Sequence, residues 1–125
     1  MIKSTLVTAT SVTVPDLVFT SSTTGAPIAG AVTGQVNAIT TIALCNVAAP
    51  TLTDETVNSV TVNIYFVKSG ESYSTANLVV SSLTVPAGET VFFSEERFVL
   101  DGGDKIYVGT SSASKIAVTV SSLPV

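Results

Sequence analysis

The chain has no histidine and no tryptophan, a single cysteine, and only five basic residues among 125. Without histidine there is no Ser-His-Asp triad, no Cys-His nucleophile pair and no histidine-based zinc site. One cysteine, Cys45, cannot form a disulfide within the chain. A reactive thiol needs a base beside it, so Cys45 reads as a small buried hydrophobe, inert to reagents in the folded state. Charge is scarce, at 11% of residues against about 25% in an average soluble protein. Lys3, Lys68, Arg97, Lys105 and Lys115 are scattered. The basic patch that a nucleic-acid backbone or an anionic membrane requires is therefore missing, and neither is expected as a partner. No apolar run approaches the roughly 20 residues of a spanning helix. Thr5, Thr8, Thr10, Ser11 and Thr13 break up the start, MIKSTLVTATSVTVP, so no signal peptide is expected.

The remaining routes to chemistry close in the same way. No glycine-rich phosphate loop is present. Glu95 and Glu96 are adjacent, so on an extended chain they point to opposite faces. Asp101 and Asp104 flank Gly102-Gly103, but a calcium loop alternates three or more oxygen ligands, and here Lys105 follows instead. A plain turn is expected there. No catalytic residue, cofactor or metal is expected, and the chain reads as a non-enzyme.

Serine, threonine and β-branched residues take the place of the charge. The stretch that organises the rest is Val57 to Val67, VNSVTVNIYFV. Val60, Val62, Ile64 and Phe66 fall on one face, and Thr61, Asn63 and Tyr65 on the other, a period of two. Such a face needs a second layer to cover it. Residues 1–24 read as extended, with Pro15 splitting them into an edge strand or two short strands. GAPIAGAVTGQ, residues 25–35, is rich in glycine and proline and is a loop or an assembly arm. Val36 to Val47 is a strand with Ile42 and Leu44 on one side and Ala43, Cys45 and Val47 on the other. Residues 48–56 connect it to the central strand.

Residues 68–77, KSGESYSTAN, form a polar loop around Tyr73. That ring is either a contact anchor or folds back over the sheet edge. Leu78 to Val85 is a strand closed by Pro86-Ala87-Gly88, read as a type I turn. Val91, Phe92 and Phe93 follow; residues 94–97 interrupt the pattern, and Phe98 to Leu100 resume it. Lys105 to Gly109 and Lys115 to Ser121 read as a final hairpin, with Ile106, Val108, Ile116, Val118 and Val120 facing the core. No amphipathic helix is present. Seven to nine short strands at regular spacing predict a single all-β domain over residues 1–125, an antiparallel sandwich or a jelly roll.

From Val60 onward the chain resembles a family of small virion structural proteins of tailed bacteriophages. The resemblance is carried by VTVNIYFVKSG (60–70), LTVPAGETVFF (83–93) and FVLDGGDKIYVGTSSASKIAVTVS (98–121). It implies a non-enzymatic subunit, made in the host cytoplasm and present in many copies in a virion. Head decoration or a neck/collar position is the first expectation, and a tail or baseplate component the alternative. Its expected partners are copies of itself and other virion proteins. A different class, a carbohydrate- or receptor-binding adhesin module, stays open on the same fold. No functional residue transfers from the resemblance. The low charge of residues 1–35 makes that segment the expected assembly surface, held by a neighbouring subunit. Pro27, Ile28, Val32 and Tyr73 are the candidate partner contacts.

Overall fold

The computed structural model describes residues 2–21, 36–54, 56–95 and 98–124. Its strands are β1 (Ile2–Leu6), β2 (Asp16–Thr20), β3 (Asn37–Asn46), β4 (Val60–Val67), β5 (Leu78–Val85), β6 (Thr90–Phe93), β7 (Phe98–Leu100), β8 (Lys105–Thr110) and β9 (Ile116–Pro124). All pairings are antiparallel. One sheet runs β1-β9-β3-β6, with β7 pairing with β3 on the same side as β6; the other runs β2-β8-β4-β5. The protein is an all-β sandwich, as the alternation predicts.

The pairing explains how the chain gets there. Because β6 and β7 share one edge of β3, they act as a single interrupted strand, and nine strands reduce to eight. The first then pairs with the last, the second with the seventh, the third with the sixth and the fourth with the fifth. This is one long antiparallel hairpin rolled over on itself, the jelly-roll arrangement. Its tip is the loop between β4 and β5. Rolling brings β9 against β3 and β8 against β4, which closes the two sheets.

That arrangement corrects the expected final hairpin. β8 and β9 lie in opposite sheets, because each is captured by an N-terminal strand, β2 and β1 respectively. The link between them arches across the sandwich, with Ser114 in the left-handed region at φ 60°. The side chains still face the core as expected: Ile106, Val108, Ile116, Val118 and Val120 are all buried. The turn after β5 is also corrected. Pro86 O accepts from Glu89 N at 3.2 Å, so Gly88, at φ 76°, is its third residue and the turn is type II.

The core lies between the sheets. It gathers Val60, Val62 and Ile64 of β4, Ile42 and Leu44 of β3, Val18 and Phe19 of β2, and the facing residues of β8 and β9. Phe66 packs on its margin, edge-on to Phe98 at 4.7 Å between ring centres. Residues 2–20 are held by the chain's own sheets, contributing Val7, Ala9, Val18 and Phe19 to the core. The rest of the expected assembly segment, residues 22–35, lies outside the described residues.

Buried asparagines join the strand ends. Asn46 is fully buried; its Nδ2 donates to Asn58 O (2.8 Å) and Val85 O (2.9 Å), while its Oδ1 accepts from Ala48 N at 3.1 Å. In the connection before β4, hydrogen bonds from the Thr56 hydroxyl and then the Thr56 amide hold the exposed Asp54 carboxyl below its ordinary pKa. The sign follows: what Asp54 adds to stability is present above the ordinary carboxylate pKa and fades as pH falls through the lowered one.

Candidate functional site

The two outer faces of the sandwich differ sharply. Over the four-stranded sheet, the chain covers itself. Residues 8–15 cross above β4 and β8. Their anchor is Asp16, whose Oδ2 accepts from Thr8 N (2.7 Å), Thr8 Oγ1 (3.0 Å) and Ala9 N (3.2 Å). The Tyr65 hydroxyl donates to Val12 O at 2.8 Å. Asn63 Oδ1 accepts from Ser82 N at 2.7 Å, satisfying the β5 bulge where Ser82 sits at φ 57°. Asn63, Tyr65 and Val67 are therefore buried although they lie on the side of β4 away from the core.

Tyr73 completes this cover. Its ring lies 5.9 Å from that of Tyr65 and 5.3 Å from that of Tyr107, both tilted contacts. Through these contacts the 68–77 loop folds back onto the sheet. The ring lies over the sheet face and not over its edge, and it remains 37% exposed. It clamps the hairpin tip, and the exposed part of the ring stays open to a partner.

The five-stranded sheet has no such cover among the described residues. The registers arrange its outward positions in levels. Leu6, Ala117, Cys45 and Thr90 form one, and Ser4, Thr119, Ala43 and Phe92 the next. Ile2, Ser121 and Thr41 follow, and Leu123, Ala38 and Val99 form the last. A hydroxyl contact between Ser4 and Thr119 at 3.2 Å, and another from Thr40 to Ser121 at 3.0 Å, lie along this face. No described strand residue on it is charged. The two middle strands present alanine, cysteine, serine and threonine except for the exposed Leu123 near the end of β9, while the edges carry bulk: Ile2 is 71% exposed, Phe92 64% and Val99 63%. Surface strands ordinarily carry lysine and glutamate at such positions, which also guards against association.

Cys45 belongs to this face. It is half-buried, not buried, because its parity turns it away from the core. Val47, on the same parity, is exposed. The candidate contacts Pro27, Ile28 and Val32 lie outside the described residues, as does Glu96.

Asp101 and Asp104 bracket a turn in which Asp101 O accepts from Asp104 N at 3.1 Å and Gly103 has φ 90°. Both Asp104 oxygens are engaged by amides: Oδ2 by Asp101 N and Oδ1 by Ser69 N, each at 3.0 Å. The carboxylate thus ties the turn to the start of the 68–77 loop. Asp104→Asn replaces one acceptor with an NH2 group facing an amide donor. It should cost about 1–2 kcal/mol in urea unfolding, and millimolar calcium should leave the melting temperature of the parent chain unchanged. A calcium-dependent rise abolished by Asp104→Asn would contradict this assignment.

At one end of the sandwich, Pro50, Thr51, Val57, Pro86, Ala87 and Glu89 line a shallow cleft of about 240 Å³. Among its described lining residues Glu89 is the one carboxylate. No helix among the described residues is long and apolar enough to cross a membrane. No family model matches the chain, and no curated protein and no solved structure matches it.

The sequence reading missed the uncharged sheet face, although its signal was present. Neither 37–46 nor 116–124 contains a charged residue, and a strand with one solvated face normally shows some.

Proposed function

We propose that the chain is a non-enzymatic structural subunit of a tailed-phage virion, a head-decoration or neck/collar protein working through sandwich surfaces. The observation that carries the reading is the uncharged outer face of the five-stranded sheet. Such a face dissolves poorly by electrostatics and loses little when desolvated against another protein. Two further features support it. The quoted resemblance falls on β4, the β5 turn and β7 to β9, the parts that build the jelly roll. Jelly rolls also recur in capsid proteins, though lectins share them, so the fold alone does not choose. Against the adhesin reading, Tyr65, Tyr73 and Tyr107 pack on one another and do not line a groove. A tail or baseplate position is the same reading at another place in the particle.

The test is fractionation of a lysate in which virions containing this gene product assemble. The chain should sediment with particles and appear in a particle map as a symmetric repeat, and a glycan array should show no binding. A chain left wholly in the soluble fraction, or one that binds a defined glycan, overturns the proposal.

A further inference from the structure

We infer that the outer face of the five-stranded sheet is a self-association surface on which a second copy of this chain docks face to face about a two-fold axis roughly parallel to the strands. The choice of a second copy as occupant rests on the assembly reading above. The geometry rests on the registers.

The area is sufficient. The strands β1, β9, β3, β6 and β7 hold 5, 9, 10, 4 and 3 residues, which at ~3.4 Å rise and about 4.8 Å spacing give about 500 Å² per copy. Two such faces bury about 1,000 Å² together, the least that a specific protein interface ordinarily needs. Charge also permits it. A like pair always brings a patch against itself, so a charged patch would repel its own image. Here the strands offer no charge to repel, and Lys3 pairs with inward-facing Val120, placing it on the other parity.

Shape selects the axis. A two-fold along the strands lays the β1 edge of one copy over the β6–β7 edge of the other and keeps the levels aligned. Leu6 and Ile2 occupy the first and third levels, and Phe92 and Val99 the second and fourth. The bulky residues of one edge therefore fall between those of the opposing edge. The flat middle, with Ala43 and Ala117 in adjacent levels, meets its own image at close distance. The other outer face offers no equivalent, since residues 8–15 and Tyr73 already occupy it.

The experiment is sedimentation of the full chain across concentration, together with thiol labelling of Cys45. The unmutated chain should sediment at twice the monomer mass, and Cys45 labelling should slow as the dimer forms. Phe92→Glu and Ala43→Arg should each halve the mass and restore labelling while still unfolding cooperatively, at a melting temperature that no longer rises with protein concentration. Val79→Glu, exposed on the opposite sheet, should leave the dimer intact. A parent chain monomeric up to about 1 mM, an odd-numbered assembly, or a dimer with freely labelled Cys45 overturns the inference. The labelling of the unmutated chain decides even if a variant fails to fold. Dimers that never enter particles would defeat the virion reading alone. A chain that enters particles yet stays monomeric, with Cys45 reactive, would defeat the pairing alone.

Discussion

Replacing Ile64 by alanine is expected to lower the unfolding free energy by about 2–5 kcal/mol. Ile64 is 1% exposed and sits in β4, an inner strand of its sheet. Its cross-strand neighbours are Val80 on one side and Val108 on the other. Both neighbours are fixed by backbone ladders, so they cannot move in to fill the space that the three removed carbons leave. The opposing sheet is held as firmly, with β3 paired to β9 along nearly its whole length. The cost should therefore include most of the cavity term as well as the transfer term. Denaturant midpoints measure it, with the m-value unchanged if only the native state is affected. Val79→Ala, at an exposed position on the neighbouring strand, should stay within about 0.5 kcal/mol. An equally small effect at Ile64 would mean that β4 presents its other face to the core.

β4 also shows how far the sequence could be read. Its period of two correctly assigned Val60, Val62 and Ile64 to the core. The same period placed Asn63 and Tyr65 on the face away from the core, and both are buried there. Periodicity describes one strand against one layer. It carries no information about a distant segment, here residues 8–15, that lies down on the second face. Similarly, β8 and β9 were legible as strands with the right core residues, but not as members of opposite sheets. Local spacing favours a hairpin, and the competition from β1 and β2 is a long-range effect of the rolled topology. Cys45 was misread for a related reason. Its apolar character suggested burial, whereas its parity with Ala43 and Val47 placed it outward. The uncharged sheet face was legible only as a deficit, two long strands without charge, and it took the registers to place their outward residues side by side.

The change of Gly109 to alanine is expected to destabilise the chain by about 2–4 kcal/mol, although it adds one methyl group. Gly109 is buried in β8 and pairs with Asn63. A Cβ there would lie 2.4 Å from Val12 O, 2.8 Å from Val12 C and 2.9 Å from Val12 Cα. These are backbone atoms, so no rotamer change relieves the contact; the whole crossing segment must lift. Alanine is favoured over glycine in a strand by roughly 0.5–1 kcal/mol, too little to offset that movement. Lifting Val12 also withdraws the acceptor of the Tyr65 hydroxyl, which is 2.8 Å from Val12 O in a residue only 3% exposed. The segment is tied nearby by Asp16 to Thr8 and Ala9, and Thr110 Oγ1 lies 3.0 Å from Ala9 O. It therefore cannot lift freely without straining those bonds. A double-mutant cycle isolates this mechanism. Tyr65→Phe removes the hydroxyl and should cost about 1 kcal/mol in the parent, but much less beside Gly109→Ala, where the bond is already lost. The two changes should thus be clearly less than additive. Strict additivity would show that alanine is accommodated without moving Val12, and that the close approach at Gly109 does not hold the cover in place.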